Sequence, residues 1–547
     1  MFQQPIFVAS IFRHLICVCA GVLCAAGIAA QQNPQPGELK VLYTEHPGVP
    51  QNMVPGIPGA TFYQFGGINR VRVSSSGVIG VQAVIELNGQ FLDALLLNDR
   101  VVLKEGDPLP WAPSETLALI RDFDVSDSGS IAISLNSTGP SSTNSYLVRE
   151  DFPNSWTVVA QSGNPIPDFP GKTYGTQYGA TIDNSNRVGY LSDGVSGGLS
   201  SDQAIEFNAL IVARTGLDAP MGQLSGLSEN YGFFIRDYPV QVNGDGSRWL
   251  AQVNLETSND EALVVDGTVA LQAGYAIPGA AVSTPIAING IAFSNFDRLG
   301  NWYAHGFFNP GNEYWAVSNG AILTRTGLPV FAGSSELWMA NRTFPLVAGN
   351  GTDYVVAGVS ASTFLSHLVR NNAEIISSKL DSIDLDENGQ FDDGLVLQDF
   401  GEGYMLEDGG VIFLGQTRST LPGGSTENSI VFYDNTPDPR LTVTGLIAGS
   451  MATIEVTPVD TGNLVYSSYS LAGGGPTNMN SPWGLLLVEL TAPISLLPTM
   501  VGDSLGIASQ QVPIPARAAG VSVWIQALED EGAGTCQLTS GFAGIVQ

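Results

Sequence analysis

Val73-Ser74-Ser75-Ser76-Gly77-Val78-Ile79-Gly80-Val81 and Val125-Ser126-Asp127-Ser128-Gly129-Ser130-Ile131-Ala132-Ile133 share one pattern. An apolar residue leads into a short polar cluster, then a glycine, then a β-rich run. The pattern recurs at anchors Gly77, Gly129, Asn186, Gly246, Gly300, Gly351 and Gly410, separated by 52, 57, 60, 54, 51 and 59 residues. Glycine reaches positive φ without steric cost, and Asn tolerates it next best, so each anchor reads as a tight turn. After Gly77, the residues Ile79, Val81, Ala83 and Ile85 fall on one face of a strand. A period of about 55 residues suits one four-stranded blade, and blades stack into propellers.

A second signal falls later in each unit. Val101-Val102-Leu103 leads to Gly106-Asp107-Pro108-Leu109-Pro110, and Trp156 to Ala160 leads to Gly163-Asn164-Pro165-Ile166-Pro167. Arg214-Thr215-Gly216-Leu217 returns as Arg325-Thr326-Gly327-Leu328. Each unit therefore reads as strand, hairpin, strand and a Gly/Pro corner. The seventh unit has Ser429 to Tyr433 but lacks the last strand and corner, and Val41 to Pro50 resembles that missing piece. The expectation is an all-β chain: a seven-bladed β-propeller closed by the N-terminal strand, then a C-terminal β-sandwich. Closure between the termini would remove an open sheet edge. An open array, a pair of sandwiches or an eight-bladed ring are the alternatives, the last because the third unit is degenerate.

The boundaries follow from composition. Residues 1–30 read as a secretory signal: Arg13, an apolar run from Leu15 to Ala26, and small residues before Gln31. Residues 31–437 hold the seven units. After Pro437 and Pro439 the period stops, and residues 438–547 carry short strands at sandwich spacing. No later stretch is long and apolar enough to span a membrane. Loss of the signal leaves Cys536 as the single cysteine, so no internal disulfide is expected. The remaining 517 residues carry 20 basic and 51 acidic side chains. The basic residues are sparse and scattered, which argues against a nucleic-acid partner. The acidity favours solubility and cation binding.

These features resemble a family of secreted bacterial proteins, notably from planctomycetes, that carry tandem repeats with an Asn/Asp-x-x-Gly turn and a Gly-Asp-Pro-like corner. Gly77 with Ser74, Gly129 with Ser126, and Gly106-Asp107-Pro108 carry the resemblance. Ser replaces Asn at Ser74 and Ser126, and Asn186 stands where the family has Gly. The stretches Tyr469 to Thr477 and Val523 to Ala527 are similar to a terminal domain of such proteins. The resemblance implies an extracellular propeller-like protein and carries over no catalytic residue.

The chemistry-bearing motifs are few. Asp384, Asp386, Asn388, Gln390 and Asp392 surround Gly389 with oxygen ligands at the spacing of a calcium loop, with Asp381 nearby. Leu395 stands where an EF-hand has its bidentate Glu, so the cofactor expectation is a structural Ca2+ or, alternatively, a solvated acidic turn. Gly194-Val195-Ser196-Gly197-Gly198 fits the G-x-S-x-G pattern but lacks a parallel α/β setting. His46, His305 and His367 show no zinc spacing. Asp127, Asp183, Asp245, Asp297 and Asp408 read as turn formers. Trp156, Trp302, Trp315 and Trp338 read as packing between blades, with sugar stacking the alternative.

No catalytic residue is expected. The functional expectation is a secreted extracellular or cell-envelope binding protein whose partner is a polysaccharide or a protein. The alternatives are a polysaccharide-active hydrolase or lyase with its site at the propeller channel, and a structural envelope component.

Overall fold

The computed structural model describes residues 38–63, 67–167, 171–193, 203–235, 240–256, 261–278, 283–297, 299–308, 312–383, 385, 393–420, 424–435, 440–457, 459, 462–474, 477–481, 484–488, 490–503, 507–532, 535–539 and 542–547. The protein is all-β. Among the described residues, seven antiparallel sheets follow one another up to Asp434. The first holds Thr61–Phe62, Ile68–Val73, Ile79–Leu87, Gln90–Leu97 and Arg100–Lys104. The second runs from Pro108–Leu109 and Ala112–Val125 to Ser155–Gln161, and the third from Thr176–Ile182 to Leu210–Arg214. The fourth spans Tyr231–Phe234 to Thr268–Gln272, the fifth Ile286–Phe296 to Ala321–Arg325, and the sixth Leu346–Gly349 to Glu374–Ser378. The seventh holds Ser382–Ile383, Leu395–Met405, Val411–Ser419 and Thr426–Asp434.

The last strand of the seventh sheet comes from the start of the described chain. Glu38–Thr44 pairs antiparallel with Thr426–Asp434, with Val41 opposite Val431 and Thr44 opposite Ser429. A buried hydroxyl set fastens the pair: Thr44 Oγ1 lies 2.7 Å from Ser429 Oγ, which lies 2.7 Å from Thr417 Oγ1. His46 Nε2 joins at 3.0 Å from Thr417 Oγ1. Burial holds the His46 ring below its ordinary pKa, against the Thr417 carbonyl and Glu427.

Each sheet buries both faces. Seven apolar clusters lie between successive sheets, and one of them packs Phe62, Ile68 and Val71 of the first sheet on Tyr43, Ile412 and Ile430 of the seventh. Strands buried on both faces read as continuous apolar runs rather than alternations. Ala94 to Leu97 and Ala262 to Val265 are such runs, and every one of these residues is buried.

Polar side chains link neighbouring sheets through free backbone N–H groups. Ser145 Oγ accepts from Gln177 N at 3.0 Å, Gln203 Oε1 from Phe234 N at 2.7 Å, and Glu261 Oε2 from Ile291 N at 3.0 Å. All three residues open the third long strand of their sheet, so one position does the same work with different chemistry.

Beyond Arg440, one sheet holds Arg440–Thr444, Met451–Thr457 and Ala508–Pro513. A second is built on Leu464–Ser470 and Ser522–Gly532. Both contribute to one apolar cluster, in which Ile454 and Val456 meet Val465, Ile525 and Ala527. Among the described residues, no helix is long and apolar enough to cross a membrane.

Candidate functional site

The anchor turns share one hydrogen-bond scheme. In five of them the residue three before the anchor accepts from the anchor N–H: Gly77 N to Ser74 O at 3.1 Å, Gly129 N to Ser126 O at 3.0 Å, Asn186 N to Asp183 O at 3.0 Å, Gly246 N to Asn243 O at 2.8 Å, and Gly300 N to Asp297 O at 3.1 Å; in the seventh turn the same bond falls one residue before the anchor, from Gly409 N to Leu406 O at 3.1 Å. At Gly351 the turn closes instead by Asn350 N to Asp353 O at 3.1 Å. Positive φ occurs at Gly77, Gly129, Asn186, Gly246, Gly300 and Gly351. In the seventh turn it falls on Gly409, while Gly410 donates its N–H to Asp408 Oδ1 at 2.8 Å. The first polar residue of a turn caps it. Asp183 Oδ1 accepts from Ser185 N and Arg187 N, and Asp297 Oδ1 from Leu299 N and Asn301 N.

Adjacent turns also touch. Asp127 takes Ser75 Oγ and Ser76 N on one side and Asn184 Nδ2 on the other, at 2.9, 3.0 and 2.5 Å. Burial opposes ionisation of Asp127, but these donors outweigh it and hold its carboxyl below the usual range. Arg187 then donates to Asp245 O and Arg248 to Gly300 O. Leu299 packs on Gly351, Asn350 donates to Leu406 O, and Glu407 N donates to Ser75 O of the first turn.

Two adjoining cavities, of about 130 and 50 Å3, lie beside these turns and share Val73, Asn295, Asp297 and Tyr404 as walls. Every sheet lends a residue two positions before its turn: Arg72, Asp124, Thr181, Gln241, Asn295, Ala348 and Tyr404. Side chains two apart share a strand face, so residues four before the turn follow them, as Arg70, Asp122 and Glu402 do.

Arg72 organises the charged wall. Its Nη1 donates to Glu402 Oε1 at 2.5 Å and to Tyr404 Oη at 2.9 Å, and its Nη2 lies 3.8 Å from Asp122 Oδ1. Arg70 Nη1 donates to the same Asp122 oxygen at 2.5 Å. Burial opposes the Arg72 charge, yet Tyr404, Glu402, Asp122 and Asp124 hold its guanidinium well above the ordinary value. Burial likewise pushes the Tyr404 phenol far up, only partly offset by Arg72, so it keeps its proton at neutral pH.

Asp124 is the acid with the unusual setting. Its Oδ2 accepts from Thr181 Oγ1 at 2.9 Å and Ile182 N at 3.0 Å. Burial still pushes its carboxyl up to about 6, against those bonds and the Arg72 charge. It therefore exchanges a proton in the mildly acidic range. Asn295, 4 % exposed, has no hydrogen-bond partner for Oδ1 among the described residues. A buried amide oxygen of this kind calls for water or a small polar ligand. The larger cavity has room for several waters. It lies below the ~300–1,000 Å3 usual for ligand pockets.

The other sequence candidates divide clearly. Asp384, Asp386, Asn388, Gln390 and Asp392 lie outside the described residues, as does Ser196. At the border of the calcium-type loop, Leu385 N donates to Asp393 Oδ2 at 2.7 Å, and Asp381 Oδ2 caps Ser378 N at 2.6 Å. Among the described residues no group of three His, Cys, Asp or Glu side chains is placed to hold a metal. His305 is buried against Phe293, and burial lowers its ring to about 4, so it is neutral. His367 Nδ1 lies 2.8 Å from Ser378 Oγ. Trp302, Trp315 and Trp338 are core residues, and half-buried Trp156 packs 5.1 Å from Trp111. Cys536 is half-buried in Thr535–Leu538.

Sequence reasoning missed Arg70, Arg72, Asp122, Asp124, Glu402 and Tyr404. The signal was present: charged or hydroxylated residues two and four positions before a recurring turn, inside otherwise apolar strands.

No family model and no curated protein matches this chain. Among solved structures, a fungal alcohol oxidase of the AA5 family in complex with copper shares 12% identity at a TM-score of 0.28, over 90% of this chain and 96% of that one. Prolyl oligopeptidase B from Galerina marginata shares 12% identity at 0.32, over 66% of this chain and 47% of that one. The major allergen Mala s 1 of Malassezia sympodialis shares 11% at 0.23, over 70% of this chain and 98% of that one. Scores this low establish no common fold.

Proposed function

We propose that the protein is a secreted, non-catalytic binding protein of the extracellular space or cell envelope. In this reading residues 1–30 are the signal, and tandem repeats in 31–437 form a seven-bladed β-propeller closed by the N-terminal strand. Residues 438–547 form a β-sandwich. Support for the ring comes from the pairing of Glu38–Thr44 with Thr426–Asp434 and from the apolar cluster between the seventh and first sheets. A single observation carries the non-catalytic reading. The inner cavity holds about 130 Å3, and Arg72, the arginine that lines it, is already engaged by Asp122 and Glu402. A polysaccharide chain does not fit there, so recognition falls to the outer loops, with a polysaccharide or a protein as partner. A structural Ca2+ in the loop of Asp384 to Asp392 belongs to the same proposal.

One observation favours the competing reading, a hydrolase or lyase. Asp124, raised to about 6, faces the same cavity as Tyr404, whose hydroxyl donates to Glu402. A buried carboxyl that holds its proton into the mildly acidic range is raw material for acid–base catalysis. The test mixes purified protein with insoluble polysaccharides and calcium, then measures co-sedimented protein and released sugar. Sedimentation without release is expected. Released oligosaccharide that disappears in Asp124→Asn overturns the non-catalytic reading.

A further inference from the structure

A second large cavity lies beyond the seven sheets in sequence. It holds about 450 Å3 between the two sheets that follow Arg440. Ile454, Val523 and Ile525 form its buried floor. Leu471, 58 % exposed, stands at its rim. Of the seventeen residues that line it, only Arg517 and Tyr469 carry a polar side-chain group. Arg517 sits in the short turn Ala516–Ala518, is exposed, and makes no ion pair among the described residues.

This combination is selective. The volume falls in the ~300–1,000 Å3 range of ligand pockets and is about three times the ~150 Å3 apolar cavity that takes up benzene. An apolar lining offers almost nothing to a sugar, a peptide backbone or a nucleotide, each of which would bury polar groups without partners. A flexible hydrocarbon chain buries no polar group by entering. The single charge at the mouth is a cation on a chain whose formal net charge is −30, so it marks one spot where an anionic head is favoured. A guanidinium fork matches a carboxylate with two parallel hydrogen bonds.

We propose that the pocket between the two C-terminal sheets binds a free long-chain fatty acid, its hydrocarbon tail between the sheets and its carboxylate on Arg517. The site is independent of the inner cavity and of any role for the seven sheets. Binding places the tail on the Ile454, Val523 and Ile525 floor and leaves the head in water beside Arg517.

Isothermal titration of the intact purified protein with saturated fatty acids of eight to sixteen carbons, kept below micelle formation, tests the proposal. The expected result is one site per chain. Affinity rises about fourfold per added methylene, the factor set by ~0.8 kcal/mol per buried CH2, until the pocket is full. Arg517→Gln weakens the acid at least tenfold and leaves the matching alcohol unchanged. Ala452→Leu, which adds bulk to the buried lining, abolishes binding of the longest acids. Should that variant fail to fold, Arg517→Gln and the chain-length series still decide. No saturable binding, an affinity indifferent to chain length, or equal loss for acid and alcohol in Arg517→Gln would overturn the proposal. Sedimentation with phospholipid vesicles in the absence of free-acid binding would also overturn it, by making the surface a membrane contact.

Discussion

Replacing Glu261 by Gln should remove a pH-dependent weakness between the fourth and fifth sheets. Glu261 is 4 % exposed and spends one oxygen on Ile291 N. Burial raises its carboxyl from 4.5 to about 7, against that hydrogen bond. Below pH 4.5 folded and unfolded chains both hold the proton, and the group adds no penalty. From pH 4.5 to 7 the unfolded chain releases the proton while the folded chain keeps it, so stability falls as pH rises. The slope is about 1.4 kcal/mol per pH unit, and the fall totals roughly 3 kcal/mol before levelling above pH 7. The amide introduced by Glu261→Gln would keep an acceptor for Ile291 N without the charge, as Gln203 already does for Phe234 N. With an unfolding entropy of about 2.1 cal/mol/K per residue over roughly 400 residues, 3 kcal/mol corresponds to about 4 °C. The assay is thermal unfolding of both proteins from pH 4 to pH 8.5. Relative to its difference from wild type at pH 4, the variant should gain about 4 °C by pH 8. A difference that stays flat across this range would refute the buried, proton-holding carboxyl.

Three other outcomes follow from the same physics. Arg72→Met leaves Glu402 without its cation while Asp122 keeps Arg70, and should cost about 3 kcal/mol, read as a drop of a few degrees in Tm. Gly351→Ala should destabilise more than Gly129→Ala: both positions have positive φ, but a methyl at Gly351 meets Leu299 whereas one at Gly129 meets open space, and paired unfolding curves read the difference. Calcium at a hundred times its dissociation constant should stabilise the protein by about 2.7 kcal/mol, roughly 3 °C; no shift between calcium and chelator would remove the ion from the account.

The turns were legible because their backbone leaves little choice. Gly77, Gly129 and Gly300 stand where φ is positive, and Asn186 is the one substitute that L-chemistry tolerates well. Gly409-Gly410 offered two candidates side by side, and sequence cannot say which takes the left-handed position. Strand alternation was blurred for a definite reason: strands such as Glu261–Val265 bury both faces, so their period-2 signal vanishes. The inner cavity was hidden by distance along the chain. Arg72 and Glu402 are 330 residues apart, and only the sheets bring them together. Their offsets, two positions before the turn for Arg72 and four for Glu402, could have been read once the turns were taken as a frame. The C-terminal cavity leaves no comparable trace, because Val, Ile and Ala read alike whether they fill a core or line a void.

The proposed ring stands on the pairing of Glu38–Thr44 with Thr426–Asp434. Hydrogen exchange of the intact protein, followed by mass spectrometry over peptides covering Glu38–Thr44 and Thr426–Asp434, measures it most directly. Ring closure predicts that amides of Glu38–Thr44 exchange as slowly as those of the central strand Ile131–Ser137, and that deleting residues 31–46 speeds exchange in Thr426–Asp434. Exchange of Glu38–Thr44 within seconds, with Thr426–Asp434 unaffected by the deletion, would contradict the closed ring.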